Sequence, residues 1–133
     1  MPARLTFAAD LAETARLAPW LASLAETSAW PAKLAFAIEL CLDEVVTNIA
    51  LHGGAAAGKI SIEIDQDAGS VTARIEDVGA AFDPTTGARA VPTSLDEAEI
   101  GGLGLVLVQH YASELRYERV DERNRLTLRF ALG

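Results

Sequence analysis

A chain of 133 residues is long enough for one domain with a real core, and residues 1–133 read as a single unit. Half the residues are hydrophobic, yet no apolar run approaches the roughly 20 residues of a membrane span. Net charge is −8, from 11 basic and 19 acidic residues without a basic cluster, which argues against a nucleic-acid partner. The opening Met1-Pro2-Ala3-Arg4-Leu5 lacks a signal-peptide core, and one cysteine cannot make an internal disulfide, so a cytosolic location is expected.

Residues 3–8 read as a first strand. Asp10 suits a helix N-cap, with Glu13 three residues on, and Leu11, Leu17, Trp20, Leu21 and Leu24 form a helical stripe that Pro19 kinks or splits. Trp30-Pro31 resets the chain. Residues 31–52 then give the longest helix, with Leu34, Ile38, Leu42, Val45 and Ile49 at the 3.6-residue period and Gly53-Gly54 at its end. The alternating segments 59–65 and 70–76, separated by Gln66-Asp67-Ala68-Gly69, predict a hairpin. Residues 78–100 hold Pro84, Gly87 and Pro92 and little periodicity, and so long a connection is functional or mobile. A helix over 102–113 follows, then strands at 114–120 and 125–131 around a polar turn at 121–124. This order predicts an α+β fold: a two-layer sandwich with a mixed, mostly antiparallel sheet and helices on one face.

Three short segments carry chemistry. Glu44 and Asn48 stand one turn apart on the long helix, in line with the small residues Ala37 and Cys41, a floor that leaves room for a ligand. An asparagine carbonyl suits Mg²⁺, and a carboxylate beside it can deprotonate a hydroxyl attacking a γ-phosphate. Asp77 closes a strand, where its carboxylate can accept a hydrogen bond from the amino group of adenine, and Gly79 lets backbone close over the base. Gly101-Gly102-Leu103-Gly104-Leu105 opens a helix, where backbone N–H groups can meet phosphates. Alone, each has a plain alternative: a solvated helix face, a strand terminator, a hinge. In this order they describe an ATP site. An acidic protein holding a polyphosphate needs a metal ion and backbone N–H groups to offset the charge. Cys41 reads as a buried small hydrophobe, His52 as a residue lining the site or answering the helix dipole, His110 as structural or exposed, and Trp20 and Trp30 as helix packing.

These residues resemble the GHKL (Bergerat-fold) ATPase superfamily, and within it the anti-sigma factor serine/threonine kinases. Leu42 to Gly53 is similar to their N box and Ile75 to Pro84, with Phe82-Asp83-Pro84, to their first glycine box. Gly101 to Val108 is similar to the second, and Asn124 to Phe130 to their last strand. The resemblance implies adenine recognition by Asp77, Mg²⁺ on Asn48, and Glu44 as catalytic base. Gly79, Gly102, Leu103, Gly104 and Leu105 would border the nucleotide beneath a lid at 83–100, and Thr127 would support the adenine site. It further implies an acceptor serine or threonine on a STAS-domain anti-anti-sigma protein, sequestration of a sigma factor, and a homodimer. The first glycine box departs from the family in having Ala80 or Ala81 at its second glycine, and the lid offers only Arg89 as a basic residue. Besides the kinase, a nucleotide-gated sequestering module with little or no transfer is open. A histidine-kinase ATPase fragment is disfavoured, for the chain shows neither a dimerisation helix pair nor a histidine in a suitable helix.

Overall fold

The computed structural model describes residues 2–53, 58–79 and 108–132. In chain order these form β1 (Ala3–Ala8), α1 (Leu11–Thr14), α2 (Leu17–Thr27), α3 (Ala32–Gly53), β2 (Lys59–Gln66), β3 (Ser70–Asp77), β4 (Glu114–Val120) and β5 (Arg123–Ala131). Residues 108–111 are helical as well, within the helix expected at 102–113, whose remainder up to residue 107 lies outside the described residues. The strands make one sheet in the order β1-β2-β3-β5-β4. All four pairings are antiparallel, so among the described residues the sheet is not mixed.

Alternation along the strands decides which face is buried. Ile60, Ile62 and Ile64 of β2, Val71, Ala73 and Ile75 of β3, and Leu126, Leu128 and Phe130 of β5 point into the core. Against them α3 lays Ile38, Cys41, Leu42, Val45 and Val46, all buried, with Leu34 and Ile49 partly so. The opposite face carries paired charges: Glu63 bonds both Arg4 and Arg74, and Arg125 Nε donates to Glu76 at 3.0 Å. The layers are thus helices, apolar core, sheet and a charged outer surface.

Local signals explain the helix boundaries. Asp10 caps α1 by accepting from the Glu13 amide at 2.8 Å. The first helix is split as expected, but at Ala15–Arg16 rather than at Pro19 itself. A proline ring collides with the carbonyl four residues back, here that of Ala15, so the chain restarts and Pro19 falls in the first turn of α2, where its missing N–H costs nothing. The C-terminus of α2 closes in a Schellman pattern, with Trp30 N–H on the Ala25 carbonyl (3.0 Å) and Ala29 N–H on that of Glu26 (3.3 Å). Ala29 takes the left-handed position at φ 55°. Glycine removes the Cβ penalty there, so Ala29→Gly should raise stability by about 0.5–1 kcal/mol, net of the glycine's larger unfolded-state entropy, read as a higher urea midpoint with unchanged slope.

Three further features fix the two ends of the sheet. Trp30, buried between α2 and α3, donates its indole N–H to Gln66 at 2.8 Å and ties the helices to the end of β2. Gly58, at φ 69°, enters β2 so close to the end of β3 that an added Cβ would lie 2.7 Å from a Val78 methyl. The β4–β5 connection is tighter than the polar turn at 121–124. Only Asp121 and Glu122 turn, at φ 50° and 63°, the geometry of a two-residue type I′ hairpin, and β5 begins at Arg123.

Candidate functional site

Glu44 and Asn48 lie one turn apart on α3, where the apolar stripe gives way to solvent. Glu44 is half-buried. Burial, and secondarily the neighbouring Asp43 charge, hold its carboxyl above the ordinary 4.5. Asn48 is 8% exposed, yet its amide makes no hydrogen bond to another described side chain, a position from which its carbonyl can serve a ligand. Ala37 and Cys41 lie on the same line of α3. Both are buried in the core and pack as part of it. The Cys41 thiol is pushed up to about 12, chiefly by burial and then by the charge of Glu44. The folded protein should therefore resist a thiol reagent at pH 8 and react fully only in denaturant; rapid labelling of the native state would show that Cys41 is open.

Asp77 ends β3 on its core-facing side and is 7% exposed. Its Oδ1 accepts from the Gly79 amide at 2.8 Å and from Asn124 Nδ2 at 3.1 Å. Asn124 is oriented in turn by donors on its Oδ1, the Tyr117 hydroxyl and Arg119 Nη1, the latter at 3.1 Å. Arg119 Nη1 also donates to the Gly79 carbonyl at 2.7 Å. One carboxylate oxygen is thus occupied, while Oδ2 receives no hydrogen bond from a described residue and remains an acceptor for a ligand amino group.

Thr127 does not join this group. On β5 the residues facing Asp77 are Asn124, Leu126 and Leu128, so Thr127 points to the charged outer face. There it lines an open concavity of about 420 Å³ with Arg74, Arg116 and Arg129. The adenine-supporting role expected of Thr127 is corrected on that parity, and Asn124 occupies the position beside Asp77. Sequence reading passed over Asn124, although a signal was present: it is the one polar residue in phase with Leu126, Leu128 and Phe130 on a buried strand face. Gly102, Leu103, Gly104 and Leu105, with Ala80, Ala81, Arg89 and the 83–100 lid, lie outside the described residues, and so does the side chain of His52. Of the other aromatic and imidazole groups, Tyr111 is exposed and meets the rings of Phe36 and His110 edge-on.

Among the described residues no group of three or more His, Cys, Asp or Glu could hold a metal by itself. The donor set around Asn48 fits Mg²⁺ in another way. One amide oxygen beside a carboxylate is the partial protein shell that this ion accepts when phosphates and water complete it. Among the described residues, too, no helix is long and apolar enough to cross a membrane.

Residues 7–130, nearly the whole length, match the family described as the histidine kinase-like ATPase domain (HATPase_c_2). The chain belongs to that family. An ATPase domain implies ATP binding. A relative 40% identical over 114 residues, covering 82% of this chain and 79% of its own, is the serine/threonine-protein kinase BtrW of Bordetella bronchiseptica. The α+β fold is also that of a solved structure, the SiaB–SiaC complex from Pseudomonas aeruginosa. That match has a TM-score of 0.61 and covers 96% of this chain and 89% of the other at 16% identity, a likeness of fold alone.

Proposed function

We propose that this protein is an ATP-dependent serine/threonine kinase of the anti-sigma type. In this reading it phosphorylates a STAS-domain anti-anti-sigma protein, sequesters a sigma factor and works as a homodimer. The observation that carries the reading is Glu44, a half-buried carboxylate with a raised pKa one helical turn from Asn48, in a chain 40% identical to a named serine/threonine-protein kinase. A pure nucleotide binder has no use for a base at that place. That a protein of similar fold was solved in a complex with a second protein, SiaC, accords with a protein acceptor.

The chemistry assigned to each group follows from its position. Asp77 Oδ2 accepts from the adenine amino group, and Gly79, clamped on Asp77, shapes the backbone beside the base. Asn48 supplies the protein oxygen to Mg²⁺, which when bound neutralises the charge developing on the transferred phosphoryl group. Glu44 takes the proton of the acceptor hydroxyl as its oxygen bonds to the γ-phosphorus and the bond to ADP breaks. The resemblance assigns the phosphates to Gly102, Leu103, Gly104 and Leu105, which lie outside the described residues.

Two measurements test this. Mg-ATP at 100-fold above its Kd should stabilise the fold by about 2.7 kcal/mol, with GTP far less effective. Incubation with γ-labelled ATP and the STAS proteins of the same genome should label one of them on serine or threonine. Binding of Mg-ATP and of the partner without any transfer would favour the nucleotide-gated sequestering module instead.

A further inference from the structure

The three strands that meet at the functional end of the sheet bring Asp77, Asn124 and Arg119 into one row. Asp77 is in register with Asn124, and Asn124 with Arg119. Asp77 and Asn124 are 7% and 8% exposed, while Arg119 reaches them from the edge strand β4. Every bond in the row has a definite direction. Among the described residues, Nδ2 of Asn124 donates to Asp77 Oδ1 at 3.1 Å and to the Gly79 carbonyl at 3.5 Å, whereas its Oδ1 accepts from the Tyr117 hydroxyl and from Arg119 Nη1, which can only donate. The amide can therefore stand in one orientation. Gly79 is gripped at both ends, its N–H by Asp77 at 2.8 Å and its carbonyl by Arg119 at 2.7 Å.

We infer that Arg119 and Asn124 are positioning residues for nucleotide selection. They lock the rotamer of Asp77 and fasten the backbone at Gly79, so that Asp77 Oδ2 is presented as an acceptor to the amino group of a 6-aminopurine. The inference rests on the ATP reading of the site. Its physical basis is preorganisation: a carboxylate held by two donors on one oxygen cannot turn to offer a different edge, and the binding free energy is not spent on fixing it. A 6-oxopurine places a carbonyl opposite Oδ2, so the same rigidity rejects it, and loosening the clamp relaxes that rejection. The two-residue turn at Asp121-Glu122 starts β5 at Arg123 and so sets Asn124 beside Arg119, while the pairing of β5 with β3 sets it beside Asp77.

Titrations of Mg-ATP and Mg-GTP with Arg119→Ala and Asn124→Ala test the clamp. Both variants should bind ATP about 10-fold more weakly, the cost of a lost charge-assisted or buried hydrogen bond, and the ATP-over-GTP preference should shrink. Arg119→Lys, which keeps one donor, should recover part of the loss. In an Asp77→Asn background the same substitutions should cost little more, because they act through Asp77. Unchanged ATP affinity and selectivity in folded Arg119→Ala, or full additivity with Asp77→Asn, would overturn the assignment. Arg119 lies on the exposed strand, so its variants keep the test decisive should Asn124→Ala fail to fold. A wild type that binds no Mg-ATP would overturn the nucleotide reading and the clamp together, a result distinct from variants that merely match the wild type.

Discussion

Glu44→Gln should leave Mg-ATP affinity nearly unchanged while phosphoryl transfer falls by roughly 10²–10⁴-fold, the usual contribution of a positioned general base. Glutamine keeps the length and hydrogen-bonding reach of the side chain and removes only its ability to take a proton. A single-turnover transfer assay run beside ATP titrations separates the two steps. Undiminished transfer in the variant would take the catalytic role from Glu44. The pH dependence adds an independent signature. Burial first and the Asp43 charge second raise the Glu44 carboxyl above 4.5. The base works only when ionised, so transfer should rise with pH along a limb centred above 4.5, and Glu44→Gln should lose that limb. For stability the sign is opposite to that of an ion-paired carboxylate. The unfolded chain releases this proton first, so stability falls as pH rises from the unfolded pKa through the folded one and levels off above it.

Asp77→Asn should weaken ATP by about 1.5–3 kcal/mol, roughly 10- to 150-fold, the range for a hydrogen bond to a charged group. The variant amide oxygen can keep the bonds now made to the Gly79 amide and Asn124 Nδ2, at 2.8 and 3.1 Å. Its nitrogen then replaces Oδ2 and turns an acceptor into a donor. A donor there repels the adenine amino group and suits the carbonyl of guanine, so GTP should lose less than ATP or gain. Calorimetric titration with both nucleotides measures the shift, and an unaltered melting temperature without ligand confirms that the network survives. Equal affinity of the variant and the wild type for ATP would remove Asp77 from base recognition.

The largest elements were legible because a repeating hydrophobic period states which side of an element is buried. That holds for β1, the long helix α3 and the hairpin of β2 and β3, where Asp67 fixes the turn by accepting from the Gly69 and Ser70 amides, both at 2.8 Å. Period alone says nothing about where a chain restarts under steric conflict, and so the break before α2 fell at Ala15–Arg16, one helical turn ahead of the proline that causes it.

Local pattern on α3 also sufficed to put Glu44 and Asn48 on one line, since i and i+4 on a helix are neighbours whatever surrounds them. Packing against the sheet closed Ala37 and Cys41 into the core. The same division appears on β5. Local pattern states that 125–131 alternates, polar with apolar, but not how the strand is registered against its neighbours. Two residues at positive φ, neither of them glycine nor asparagine, set its registration against β4; the pairing with β3 puts Asn124 beside an aspartate 47 positions earlier, and parity puts Thr127 on the far side of the sheet. A side chain's face in a strand depends on parity, which any local sequence states. Its neighbours depend on which strand pairs with it and at what offset, which only the closed sheet decides.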